Sequence, residues 1–178
     1  MIKAKLGYRT DAWVHAALPF LFRRPVNPNL LTVLGTLVSL VAAVTFSLGW
    51  FATGGTLIIA GGLFDLVDGA VARHHGVTTR FGKFLDSTLD RLVDMAILLG
   101  IAMYFALTGD PSHVLLAGYA LVSSVLVSYS QACAELTVPS FRVGVLERAE
   151  RVIILALGAL LGWLIPALWI IAIRCISR

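Results

Sequence analysis

Half of the chain's ten acidic residues gather between positions 65 and 94, and all five are aspartates: Asp65, Asp68, Asp86, Asp90 and Asp94. Asp65 and Asp68 are three apart, whereas Asp86, Asp90 and Asp94 recur at intervals of four. Both spacings return side chains to one face of an α-helix. The connection His74–Gly82 is short, which predicts neighbouring helices with their acidic faces opposed. Carboxylates brought that close repel, and several would bind protons unless a cation neutralised them. A ligand set of carboxylates, without His or Cys, favours Mg²⁺, Mn²⁺ or Ca²⁺. Pairing with Arg73, Arg80 and Arg91 in a solvated loop is the plain alternative, and it suffices for one Asp beside one Arg. Four carboxylates on two facing helices ask for more.

The elements that carry these residues belong in a bilayer. Of 178 residues, 58% are hydrophobic and 13% charged, against about 25% charged in a soluble domain. A disulfide scaffold is excluded because Cys133 and Cys175 are the only cysteines, and disorder is excluded by the apolar content. Leu30–Phe64, Met95–Gly109, Pro111–Ala134 and Val152–Ile173 hold no Asp, Glu, Lys or Arg. Since a spanning helix takes about 20 apolar residues, six spans are expected near 30–49, 52–73, 86–108, 112–134, 150–163 and 165–176. The last two are separated at Ile165–Pro166 and could form one kinked segment. Residues 1–24 lack the pattern of a signal peptide. Their apolar residues, among them Ile2, Leu6, Trp13, Phe20 and Leu21, suggest an amphipathic helix on the membrane surface. The expected fold is therefore an all-α integral membrane protein, with an amphipathic segment at 1–24 and a transmembrane domain at 25–178.

Six spans put all 14 Lys and Arg residues on one side, while the opposite loops carry only Asp110. Positive charge marks the cytoplasmic side, so both termini and the acidic cluster are expected there. A one-sided basic face suits anionic headgroups or phosphorylated substrates. Nucleic acid is a poor partner for a face lying against a bilayer.

An aspartate at mid-bilayer costs at least about 2.5–3.5 kcal/mol on insertion scales, so the cluster needs a functional reason. Small residues stand beside it: Gly69 and Ala72 follow the first pair, and Gly82 precedes the second. They permit close approach of a backbone to a ligand or another helix. Gly54, Gly55, Gly61 and Gly62 are expected to serve helix packing alone.

Asp65-x2-Asp68-Gly69-x2-Ala72-Arg73-x8-Gly82-x3-Asp86-x3-Asp90 resembles, without gap or mismatch, the signature of the CDP-alcohol phosphotransferase family. Asn27-Pro28-Asn29-Leu30-Leu31-Thr32 is similar to the start of that family's first span. The segments Phe81–Arg91, Ser128-Tyr129 with Ala134-Glu135, and Glu147–Arg151 look most like the branch making phosphatidylinositol phosphate and its archaeal ether-lipid counterpart. The resemblance implies two Mg²⁺ or Mn²⁺ ions, one held by Asp65, Asp68 and Asp86 and the other by Asp65, Asp86 and Asp90. Asp90 would also be the general base. Gly69 and Ala72 would make room for the cytidine, and Thr32, Arg73 and Gly82 would line the nucleotide and phosphate site. A homodimer in the plasma membrane of a prokaryotic cell is implied as well.

The implied reaction moves a phosphatidyl group from CDP-diacylglycerol, or an ether-lipid equivalent, to a polar alcohol and releases CMP. Inositol phosphate is the first choice of acceptor, glycerol 3-phosphate the second and an unphosphorylated alcohol such as serine the third. Where the inositol-phosphate branch carries basic residues, this chain has Gln131 and Cys133. Arg142, Arg148 and Arg151 still offer cations for an acceptor phosphate, unless they are only topology anchors. Asp94 lies outside the signature, and either a supporting role at the site or a helix–helix hydrogen bond would suit it. A cation or proton transporter would use intramembrane aspartates too. It would want carboxylates reaching toward the far face, and none lies in the outer half of a span. A non-catalytic lipid-binding member of the fold is disfavoured by the intact signature.

Overall fold

The computed structural model describes residues 27–74, 79–137 and 148–174, with the side chains at 73, 134–137 and 174 left aside. The expected surface helix at 1–24 lies outside these residues. Six helices follow in order: α1 Pro28–Ser47, α2 Phe51–His74, α3 Arg80–Leu107, α4 Pro111–Thr137, α5 Arg148–Leu160 and α6 Leu164–Arg174. Among the described residues there is no strand.

Helix starts follow from local chemistry. Asn27 caps α1, its side chain accepting from the Asn29 N–H at 3.1 Å, with Pro28 in the first turn where no N–H is missed. Thr79 caps α3 by accepting from the Gly82 N–H at 2.9 Å. Asp110 takes that place before α4, accepting from the His113 N–H. The Ser112 hydroxyl, and then His113, hold the Asp110 carboxyl below its ordinary range.

Three glycines end helices in the same way. Gly49, Gly109 and Gly162 have φ of 80°, 76° and 73°, a region other residues avoid. The next N–H in each case reaches back to a carbonyl of the last turn: Trp50 to Thr45 at 2.9 Å, Asp110 to Phe105 at 2.9 Å and Trp163 to Gly158 at 2.7 Å. These left-handed caps turn α1 into α2, α3 into α4 and α5 into α6 at one end of the molecule. The break between the last two helices therefore falls at Gly162. Pro166, expected to mark it, sits in the first turn of α6, where its missing N–H costs nothing.

α1 packs on α2 and α3, α2 on α5, α3 on α4, and α6 closes the circuit against α4 and α5. The order around this ring is α1, α2, α5, α6, α4, α3. Sequence reasoning expected α2 and α3 to be neighbours. Instead each leans on α1, and they are not closely packed along their length. Their acidic segments thereby face one another with space between.

The interior of the ring away from the aspartates is apolar, filled by Phe46, Ile58, Ile97, Ile101, Leu168 and Ile171. The outside is apolar too, with Leu37, Val44, Leu63, Leu99 and Leu115 more than half exposed. A water-facing surface would not carry so many. Trp50 and Trp163 stand exposed in the turns, as in an interfacial aromatic belt. Three segments, Pro28–Ser47, Phe51–Ala72 and Pro111–Cys133, are long and apolar enough to cross a membrane. α3 is longer but carries Asp86, Asp90, Arg91 and Asp94 between its second turn and its middle. α5 and α6, of 13 and 11 residues, reach only about 20 Å or less at 1.5 Å per residue.

Glycine brings the helices of the ring together. A Cβ on Gly100 of α3 would lie 2.3 Å from the Ala43 carbonyl oxygen of α1, and one on Gly55 would lie 3.0 Å from that of Ala156 in α5. Gly61 and Gly54 are similarly occluded, by Ser39 and by the Phe46 ring. Gly62 differs from the expectation, since a Cβ there meets nothing within 4 Å. Gly100→Val is thus expected to lower the melting temperature in detergent by about 5 °C or more. Gly62→Ala should leave it unchanged or raise it, because the helix gains up to about 1 kcal/mol of propensity. Thermal unfolding of the two variants side by side tests this.

Candidate active site

Asp65 and Asp68 lie in the second half of α2, and Asp86, Asp90 and Asp94 wind from the second turn of α3 to its middle. One oxygen from each of Asp65, Asp68 and Asp86 lies within 4.8 Å of the others. Oxygens on opposite sides of a Mg²⁺ ion stand about 4.2 Å apart, from a metal–oxygen distance of about 2.1 Å. The three carboxylates are therefore within a small side-chain adjustment of closing on one ion. Asp86 Oδ1 is buried and has no hydrogen-bond partner, which a cation would supply. An all-oxygen set suits Mg²⁺ or Mn²⁺. The residues fit a divalent ion.

Asp68 is the most buried of the five, 6% exposed. Its Oδ2 accepts from the hydroxyl of Thr32, which also lies 3.1 Å from the Pro28 carbonyl. Thr32 was expected to line the phosphate site; the structure sets it against Asp68, so α1 orients that carboxylate.

Asp90 stands apart from the trio. Its Oδ1 lies 2.7 Å from Arg148 Nη1, which also reaches Asp65 Oδ2 at 3.2 Å. Arg148 is the first residue of α5, so a third helix places a cation between the acidic faces of the other two. One turn further on, Arg151 is 6% exposed. Its Nη2 donates to Asp94 Oδ2 at 2.9 Å and to Ser128 Oγ of α4 at 3.1 Å. The ion pairs described for Asp65, Asp90 and Asp94 thus run to α5 rather than to Arg80 or Arg91 of α3. Among the described side chains, five carboxylates against two guanidiniums leave a formal excess of three negative charges in one partly buried cluster.

The glycine expectations meet the structure unevenly. Gly69 and Ala72 are half-buried and each lies four residues beyond an aspartate, on the same helical face. A Cβ on Gly82 would come 3.1 Å from Thr79 Oγ1 and 3.2 Å from Asn29 Oδ1. That glycine therefore serves the junction of α1 with the α3 cap. The Arg73 side chain and the whole of Arg142 lie outside the described residues.

Sequence reasoning did not foresee Asp94, Ser128 and Arg148 as parts of one network. The signal was present in the spacing: Arg148 and Arg151 are three apart on α5, and Asp90 and Asp94 four apart on α3. What it lacked was the ring order that turns those two faces toward each other.

Comparisons with known proteins agree with this geometry. The family model described as CDP-alcohol phosphatidyltransferase matches residues 25–177. The archaetidylinositol phosphate synthase of Methanothermobacter thermautotrophicus is 42% identical over 147 residues, which are 83% of this chain and 73% of that protein. The crystal structure of Mycobacterium tuberculosis phosphatidylinositol phosphate synthase with CDP-DAG bound superposes with a TM-score of 0.80 at 32% identity. It matches 94% of this chain and 87% of that one. The same enzyme in complex with manganese and citrate gives 0.82 at 33% identity, covering 92% and 83%.

Proposed function

The chain belongs to the CDP-alcohol phosphatidyltransferase family, and from that premise we propose that it transfers a phosphatidyl group, or its ether-lipid equivalent, from a CDP-linked lipid to inositol phosphate. The observation that carries this reading is the approach of Arg148 to Asp65 of an acidic trio fit for a divalent ion, with Asp90 on the same guanidinium. Anion-binding and cation-binding groups then lie side by side, as a diphosphate donor and a phosphorylated acceptor require. The relatives are synthases of inositol-phosphate lipids, and a solved relative binds CDP-DAG.

Asp65, Asp68 and Asp86 would hold one ion, with Asp65, Asp86 and Asp90 offered to a second. Bound ions would neutralise the diphosphate and the departing phosphate. The acceptor hydroxyl attacks the phosphorus that bears the lipid; a new P–O bond forms as the bond to CMP breaks, and CMP carries the electron pair away. Asp90 takes the hydroxyl proton, with Arg148 holding one carboxylate oxygen and leaving the other to face the acceptor. Gly69 and Ala72 leave room for the cytidine, while Arg73 and Gly82 border the phosphates. Arg142, Arg148 and Arg151 provide for the acceptor's phosphate.

Six spans with both termini and the site on the cytoplasmic side are supported by the confinement of every Lys and Arg to that side. The three glycine-capped turns carry none. The lipid tails then stay in the bilayer while the diphosphate meets the site at its edge. A homodimer rests on family resemblance.

Incubating purified protein with labelled CDP-diacylglycerol and a panel of alcohols tests the acceptor. Product is expected with inositol phosphate, and its formation should stop when a chelator removes divalent ions. Product only with serine or another unphosphorylated alcohol would overturn the reading.

A further inference from the structure

We propose that Arg148 is a movable counter-cation: it bridges Asp65 and Asp90 until a second divalent ion claims Asp65, and then leans wholly on α3 by taking up Asp94. This rests on the reading above that Asp65, Asp86 and Asp90 are offered to a second ion. Such an ion would join α2 to α3. Arg148 Nη1 makes that same join, lying 3.2 Å from Asp65 Oδ2 and 2.7 Å from Asp90 Oδ1. A dication beside those carboxylates would stand within a few ångström of the guanidinium, where like charges repel strongly in a partly buried site. The two cations therefore compete for Asp65.

Arg148 has somewhere to go. Its Nε is buried and has no hydrogen-bond partner among the described residues, a cost that calls for a reason. Asp94 Oδ1 lies 3.7 Å from that Nε, too far for a hydrogen bond, and a movement of about 1 Å would close it. Asp94 is prepared for this. Its side chain is 13% exposed, its other oxygen is fixed by Arg151 Nη2 at 2.9 Å, and it is not among the three carboxylates that gather for an ion. Trading Asp65 for Asp94 leaves Arg148 paired throughout, with Asp90 still in reach. Its own helix does not pin it, because Arg148 is the first residue of α5, the end at which the helix dipole disfavours a cation. Formally, Asp65, Asp68, Asp86 and Asp90 with Arg148 and one dication sum to a single negative charge, and a second dication makes the sum positive. An anionic diphosphate restores the balance, so the second ion is held weakly until the donor arrives.

The test is Mn²⁺ calorimetry on the full-length protein in detergent, without substrate. The native protein should take one ion tightly and a second weakly. Arg148→Gln removes the competing charge and is expected to tighten the second step about tenfold or more, roughly the worth of one charge-assisted contact. Asp94→Asn removes the receiving carboxylate and should weaken that step about threefold or more, an effect that vanishes when Arg148→Gln is also present. An arginine that only supports the fold would give weakened or unchanged ion binding in Arg148→Gln, and that outcome overturns the proposal. So does an Asp94→Asn effect that persists undiminished in the double variant. If neither the native protein nor Arg148→Gln binds more than one ion, the second-ion reading fails and the proposal with it. Two ions at native affinity in Arg148→Gln leave that reading standing and overturn the proposal alone. Should Arg148→Gln not fold, the native protein decides. The Arg148 Nε–H resonance, identified by its loss in Arg148→Lys, should shift mainly with the second Mg²⁺ binding step. A shift complete at the first step, or none at all, overturns the proposal.

Discussion

Replacing Asp86 by Asn is expected to reduce CMP release from CDP-diacylglycerol by at least about 10³-fold and to abolish stabilisation by Mn²⁺. Asp86 is the only residue of α3 in the trio; the other two members come from α2. Without it the two helices are no longer bridged by a shared cation, and the ligand set falls to a single pair three residues apart. Loss of one charged ligand from a hard-cation site removes several kcal/mol of interaction with both the ion and the diphosphate it neutralises. The ion-free protein should behave in the opposite direction. Asp86 is near Asp65 and Asp68 and has a buried, unpartnered oxygen, so the neutral amide relieves like-charge repulsion and a desolvation cost. The melting temperature without divalent ions is therefore expected to stay level or to rise by a few degrees, where about 1 kcal/mol corresponds to about 2–4 °C at this size. Thermal unfolding with and without Mn²⁺, beside the activity assay, checks both halves. Retained Mn²⁺ stabilisation would remove Asp86 from the ligand set.

The contrast between those two effects shows which parts of the molecule were legible beforehand. Charge placement in the sequence located the helices well, because an apolar run bounded by Arg or Asp leaves little choice to a chain in a bilayer. The spacing of Asp65, Asp68 and Asp86 likewise announced an acidic face on each of two helices. Sequence spacing says nothing, however, about which helix stands beside which. The inference that a short connection makes α2 and α3 neighbours with opposed acidic faces holds for the faces, whose carboxylates come together, but not for packing along the helices. Both pack on α1, where Gly35, Ala43, Gly61 and Gly100 allow unusually close approach. The site exists because the two acidic helices are held a little apart by a third.

The same gap explains the arginines. Arg148 and Arg151 were read as cations on a cytoplasmic rim, free to meet an acceptor. In the ring they sit opposite α3, and Arg151 is buried against Asp94 and Ser128. A pair of charges with low exposure is costly unless the partners are well matched, so its geometry is a tertiary fact that no local pattern encodes. The glycine caps at Gly49, Gly109 and Gly162 were the opposite case. A Gly one or two residues past an apolar run is a recognised stop signal, and it would have placed the last turn at Gly162 rather than Pro166.

Asp90→Asn is expected to separate proton transfer from ion binding. Asp90 lies outside the close trio and is held by Arg148 at 2.7 Å, so the first ion should bind the variant as it binds the native protein. Removing a general base costs about 10²–10⁴ in turnover, and that loss is expected in kcat with the KM for CDP-diacylglycerol kept within about threefold. Asn preserves the shape of the side chain but gives up the charge that draws Arg148. Among the described residues the guanidinium then keeps Asp65 and the more distant Asp94. If Asp90 also contributes to a second ion, calorimetric Mn²⁺ stoichiometry should fall by one in this variant, whereas Asp86→Asn should lose both ions. A turnover within about fivefold of the native value would exclude Asp90 as the base. A complete loss of Mn²⁺ binding would instead place Asp90 in the primary ligand set, and the trio seen here would need a fourth member. The two aspartates stand one helical turn apart, so a difference in how they fail would show how finely α3 divides its carboxylates between holding a cation and moving a proton.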